Sequence, residues 1–161
     1  MPEKISKTNF RLQSLASGKI FDDEGWTLSA PGEDKPALIR AIYEKKQIEV
    51  KDEKYGIFRF ADWLPILGGL KGSSAPLTYK SEGLASELGL KTLYITFSGY
   101  WPEKGAIMKT CSFKETEAYA VAGRLNHNQG EVLVVASAGN TARAFARVCS
   151  DNGIKLLLCV P

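Results

Sequence analysis

The stretch from Glu131 to Val160 constrains the fold more than any other. Val132-Leu133-Val134-Val135-Ala136 is an apolar run of strand length. Ser137-Ala138-Gly139-Asn140-Thr141 breaks that run with small polar residues, and a helical pattern follows over 140–151. Gly153 stops it, and Ile154 to Val160 is again almost wholly apolar. Strand, helix and strand in this order predict two parallel strands joined by a right-handed crossover. Upstream, apolar strands also alternate with amphipathic helices, which extends the expectation to an α/β fold with a parallel sheet covered on both faces. Ligands of such sheets lie beyond the carboxyl ends of the strands, where the 137–141 turn falls.

The organisation changes along the chain. Residues 8–30 read as short strands: Phe10, Leu12 and Leu15 alternate, Ile20-Phe21 leads into the turn Asp22-Asp23-Glu24-Gly25, and Trp26-Thr27-Leu28 returns. Residues 37–43 read as a further strand, with a helix as the alternative, and 44–54 as a solvated charged face. Gly68-Gly69 and Gly72-Ser73-Ser74 mark a boundary between a β-rich segment, 1–71, and an α/β segment, 72–161. In the second segment Leu77-Thr78-Tyr79 is extended and Ser81 caps a helix that runs to Leu88 before Gly89. Leu93 to Phe97 is a strand and 99–107 a long loop. Cys111 or Ser112 opens a helix to about Asn126.

Composition excludes several classes. The 161 residues carry 21 basic and 18 acidic side chains, a net charge of +3, with no basic stripe. No nucleic-acid partner is therefore expected. The sequence has no apolar run long enough to span a bilayer and shows no secretory leader. Cys111, Cys149 and Cys159 lack metal-ligand spacing and read as reduced thiols of a cytoplasmic protein, with Cys111 buried and inert. The one histidine, His127, lies in a polar loop and reads as a surface residue, which disfavours histidine-dependent triads.

Two loops carry the chemistry. Thr110-Cys111-Ser112-Phe113-Lys114-Glu115 places Lys114 in the first turn of its helix, and the 137–141 turn offers free backbone N–H groups to an anion. A reactive amine beside an anion-receptive turn suits pyridoxal 5'-phosphate (PLP). Either element alone has a plainer reading. Lys114 could be a solvated helix lysine, and Asn140 or Thr141 a simple N-cap. Lys104 could be surface charge, and Tyr100 and Trp101 could be packing residues or pocket walls.

Taken together, these elements resemble the threonine-synthase branch of the fold-type-II PLP-dependent enzymes. Gly56-Ile57-Phe58-Arg59-Phe60 with Leu64-Pro65 is similar to that branch's aromatic-arginine-aromatic lead-in, and Ala75-Pro76-Leu77 to its Thr-Pro-Leu element. Ser112-Phe113-Lys114 is similar to the segment supplying its Schiff-base lysine, and 137–141 to its asparagine loop. Within the branch, Ser98 to Ala106, Lys109 to Glu115 and Ala136 to Phe145 resemble the cysteate synthases. The resemblance implies a tryptophan-synthase-β-like αβα core and β-replacement on O-phospho-L-serine by sulfite, giving L-cysteate and phosphate for coenzyme M synthesis. It also implies PLP on Lys114, Asn140 on the cofactor's ring oxygen, and the substrate carboxylate on Ser137, Ala138, Gly139 and Thr141. Lys104, Lys109 and Arg143 become candidates for the sulfite or phosphate anion.

Two departures qualify what the resemblance implies. Related enzymes carry paired Cys-x-x-Cys knuckles that can bind zinc, where this chain has Ser14, Ser17, Ala30 and Glu33. These cannot replace four thiolates, so a β-rich remnant without metal is expected. The chain also stops at Val160-Pro161, before the glycine-rich loop that holds the PLP phosphate in this fold. The expectation is an N-terminal portion that is inactive alone and self-associates into a homo-oligomer through its apolar last strand. The alternatives are a threonine synthase acting on O-phosphohomoserine, and a non-catalytic fragment.

Overall fold

The computed structural model describes residues 5–25, 29–126 and 130–161. Trp26 to Leu28, expected as a return strand, and His127 lie outside them. The fold is mixed α/β, with four small sheets among the described residues. Its contacts divide the chain into two units, one running to Leu70 and resuming at Ala120–Gln129, the other Lys71–Tyr119 with Gly130–Pro161.

The first unit is built on an antiparallel sheet of β1 (Phe10–Ser14), β2 (Ile20–Phe21) and β3 (Ile39–Tyr43), in the order β2-β1-β3. Alternation puts Leu12 and Phe21 on one face, where they are buried with Ala30 against Phe10, Ile39 and Ala41. Each large side chain removed from water there contributes about 1.5–3 kcal/mol. Ser14, Ser17 and Glu33 converge at the end of β1. Both hydroxyls donate to the Glu33 carboxylate, and Ser14 Oγ accepts from the amides of Ala16 and Ser17.

In the second unit β4 (Leu77–Lys80) pairs with β5 (Tyr94–Phe97), and β8 (Leu133–Ala136) with β9 (Leu156–Cys159). The β8–β9 pair is parallel, as the sequence predicts, and α3 (Asn140–Asn152) forms the crossover. Gly153 at φ 66° ends α3 in a left-handed cap that only glycine adopts cheaply. The helix buries Ala142, Ala144, Phe145, Val148 and Cys149, and burial pushes the Cys149 thiol pKa up.

Four expectations need correction. The β4–β5 pair is antiparallel, so the expected single parallel sheet is absent among the described residues. Its connecting helix α1 (Glu82–Glu87) is short, and Gly89 at φ 67° follows its end before the chain returns beside β4. Nor is the parallel pair covered on both faces, since Val134 and Leu157 are more than half exposed. Residues 99–107 are a hairpin rather than a loop: β6 (Tyr100–Trp101) and β7 (Ala106–Ile107) flank a 3-10 turn with Pro102 at its start and Gly105 left-handed at its end. Finally, α2 (Lys114–Gly123) stops three residues before Asn126, because its last turn tightens into i to i−3 bonds at Arg124 and Leu125.

Arg124 then forks onto Asp23, with bonds of 2.8 and 2.5 Å, and donates to the Gly25 carbonyl at 2.7 Å. Among the described residues no helix is long and apolar enough to cross a membrane.

Two outcomes follow from this packing. A Cβ on Gly123 would lie 3.0 Å from the Gly68 carbonyl oxygen and 3.3 Å from the Phe58 ring. Gly123→Ala should therefore lower unfolding stability by about 1–3 kcal/mol in urea titrations, despite better helix propensity. The Ser17 and Ser14 hydroxyls hold the Glu33 carboxyl below its usual range. Its stabilisation is thus complete above the ordinary glutamate range and lost as pH falls through the lowered folded value. Glu33→Gln should flatten that part of the acid limb of stability against pH, as measured by denaturation from pH 6 to 3.

Candidate functional site

Met108 to Glu115 shows how the chain presents Lys114. Met108 and Thr110 are buried, and the Cys111 amide closes a turn onto the Met108 carbonyl at 3.1 Å. Cys111 has φ 53°, in the left-handed region that a residue with a Cβ occupies at a cost of about 1–2 kcal/mol. The Cys111 thiol is exposed, not buried as the sequence suggested. Ser112 Oγ accepts from the Lys114 amide at 3.3 Å, and α2 begins.

Lys114 Nζ sits 2.6 Å from Glu117 Oε2 and 5.2 Å from the Phe113 ring centroid. Glu117 is a partner that the sequence reading missed. The signal for it was the i,i+3 spacing, which puts the two side chains on one helix face. Both are more than a third exposed, so such a pair contributes at most about 1 kcal/mol and opens readily. Lys114 must leave Glu117 before its nitrogen can act as a nucleophile.

The 137–141 turn leaves β8 where Ser137 N–H bonds the Cys159 carbonyl at 3.0 Å. The N-cap of α3 is Gly139, with no side-chain cap, rather than Asn140 or Thr141. Gly139 N–H contacts Ser137 Oγ at 3.3 Å, and the first intrahelical bond runs from Arg143 N–H to the Gly139 carbonyl. The N–H groups of Asn140, Thr141 and Ala142 precede it and have no partner within the helix. Ala138, Gly139 and Asn140 are exposed.

The charged candidates are also at the surface. Lys104 lies 5.9 Å from the Trp101 ring centroid, and both Tyr100 and Trp101 are half exposed. Lys109 and Arg143 are exposed, and no ion pair holds either among the described residues. All these candidates fall in the second unit. Lys114, however, bonds Glu117, and among the described residues no bond joins it to 137–141. A cleft of about 380 Å³ lies in the first unit, lined by residues that include Lys7, Lys45, Lys51 and Asp62, and none of the candidates reaches it.

The donor set fits PLP in kind: an accessible primary amine on a helix start, and an uncapped helix N-terminus preceded by a glycine turn. Ser14, Ser17, Ala30 and Glu33 do not fit zinc, because both hydroxyls are committed to the Glu33 carboxylate and Ala30 has no side-chain donor. No cluster of three metal-binding side chains occurs among the described residues.

Comparison with known proteins bears on the sequence. The chain matches the cysteate synthases along nearly its whole length, in agreement with the resemblance read from its loops. Cysteate synthase of Methanosarcina acetivorans is 47% identical over 152 residues, covering 94% of this chain and 36% of the relative. That of Methanococcoides burtonii is 54% identical over 146 residues, 89% of this chain and 34% of the relative. That of Methanothrix thermoacetophila is 59% identical over 126 residues, 77% of this chain and 30% of the relative. The chain thus spans about a third of the length of these relatives. No family model matches it, and no solved structure does.

Metal analysis of the purified chain should return no stoichiometric zinc; one tightly held zinc per chain would show that the serine and glutamate positions had been misread.

Proposed function

We propose that the chain is the Lys114-bearing portion of a PLP-dependent β-replacement enzyme that converts O-phospho-L-serine and sulfite to L-cysteate and phosphate. The observation that carries this reading is Lys114 in the first turn of α2, in a chain 47% identical to a cysteate synthase over 152 residues. The whole protein would hold its cofactor in a fold-type-II core, of which β8, α3 and β9 form one parallel unit.

When bound, PLP supplies an electron sink for negative charge at the substrate Cα. Lys114 would hold the cofactor through its amine and, once displaced by substrate, carry the Cα proton. Ser137, Ala138, Gly139 and Thr141 would receive the substrate carboxylate at the uncapped end of α3, where N–H groups and the helix dipole favour an anion. Asn140 would donate its amide N–H to the cofactor's ring oxygen. Arg143 and Lys109, in no ion pair among the described residues, would meet sulfite or the departing phosphate, with Lys104 as a further cation. The phosphoamino acid and sulfite would be the small-molecule partners.

The test uses the 161-residue chain directly. Incubation with PLP, borohydride reduction and peptide mapping should place the label on Lys114 ahead of other lysines, and Lys114→Ala should abolish it. Labelling spread over surface lysines with Lys114 spared would reject the assignment. O-phosphoserine with sulfite should give no turnover with these 161 residues alone, which span about a third of the length of the cysteate synthases they match. In a full-length relative, substitution of the matching lysine should remove cysteate formation.

A further inference from the structure

The acid next to Lys114 has no part in the chemistry above, yet it is among the most buried side chains of the protein. Glu115 is 2% exposed. A buried carboxylate persists only where its oxygens are satisfied, and both of these are. Oε1 accepts from Ser74 Oγ at 2.5 Å, and Oε2 accepts from the Thr110 amide at 2.8 Å. One oxygen therefore reaches back across the left-handed Cys111 to the start of the turn, and the other reaches the 72–74 loop. Among the described residues the Thr110 hydroxyl has no partner, so the carboxylate secures the backbone N–H and not the side chain.

One helical turn further on, Tyr119 OH donates to the Gly72 carbonyl at 2.5 Å. Burial and the nearby Glu115 and Asp151 charges raise its phenol pKa, so it remains a donor. The same face of α2 thus grips the 72–74 loop at two points, and Glu115 also grips the turn that carries Lys114.

We propose that Glu115 is a positioning residue for Lys114: its carboxylate locks the 110–113 turn and the 72–74 loop together, which fixes where α2 starts and where the Lys114 amine points. The use of that amine for PLP rests on the reading above, so the test reads the amine first without cofactor.

In the 161-residue chain, competitive acetylation would follow Lys114 against Lys104 and Lys109, with hydrogen exchange at the Thr110 amide measured alongside. Glu115→Ala should speed exchange at Thr110 at least about tenfold, the loss of one hydrogen bond to a charged acceptor. It should also raise Lys114 acetylation about threefold over the two reference lysines, as the frayed helix start releases Lys114 from Glu117. Glu115→Gln should restore both readouts toward wild type, since its carbonyl can accept from Thr110 while its amide donates to Ser74. Ser74→Ala should move both in the direction of Glu115→Ala by a smaller amount, and it decides the matter if Glu115→Ala does not fold. Lys114 reactivity unchanged in the alanine variants, or a change in all lysines alike, would overturn the proposal. Dependence of Lys114 acetylation on Glu115 in a chain that PLP fails to label would support the positioning role and retire the cofactor reading.

Discussion

Close approach of backbone at small residues is the constraint on which this structure depends. Many of its fully buried apolar positions are alanines, among them Ala30, Ala106, Ala118, Ala122 and Ala144. Gly123 is packed so tightly that a methyl group would meet backbone. Where small residues set the spacing, buried polar groups lie within reach of carbonyls and amides, and hydrogen bonds rather than bulk fix the loops. The bonds of Glu115 and Tyr119 to neighbouring loops, and of the Thr8 hydroxyl to the Ala61 carbonyl, are of this kind. Larger side chains such as Val134, Leu157 and Leu88 stand exposed.

The sequence was most legible where hydrophobic period and glycine punctuation agreed. The β8–α3–β9 unit shows both: two apolar runs, one amphipathic helix and a left-handed Gly153. It was least legible where tertiary pairing decided. Nothing local in Leu77–Lys80 and Tyr94–Phe97 specifies an antiparallel partner, and the short hairpin at Tyr100–Ile107 depends on a turn chemistry of Pro102 and Gly105 that reads equally well as a loop.

The candidate site divides along the same line. The position of Lys114 at a helix start follows from Ser112 and the apolar spacing behind it, and the α3 turn follows from its small residues. The bonding of Glu115 does not, because an acid in a first helical turn usually faces solvent and favours the dipole from there. Only the depth of the 108–115 turn shows that this one is turned inward. Cys111 was misjudged for a related reason: a lone cysteine usually reads as buried, but this one lies exposed in a left-handed turn.

The fork of Arg124 on Asp23 joins residues 101 positions apart within one unit. During synthesis the three-stranded sheet leaves the ribosome well before the end of α2 exists. The first seventy residues therefore emerge with Asp23 lacking its guanidinium and Phe58 and Ile66 lacking the helix that carries Gly123. The unit is finished only when the chain has been extended past residue 124, after much of the second unit has already appeared. Its assembly is thus ordered by translation, with the N-terminal segment waiting on a strap made later.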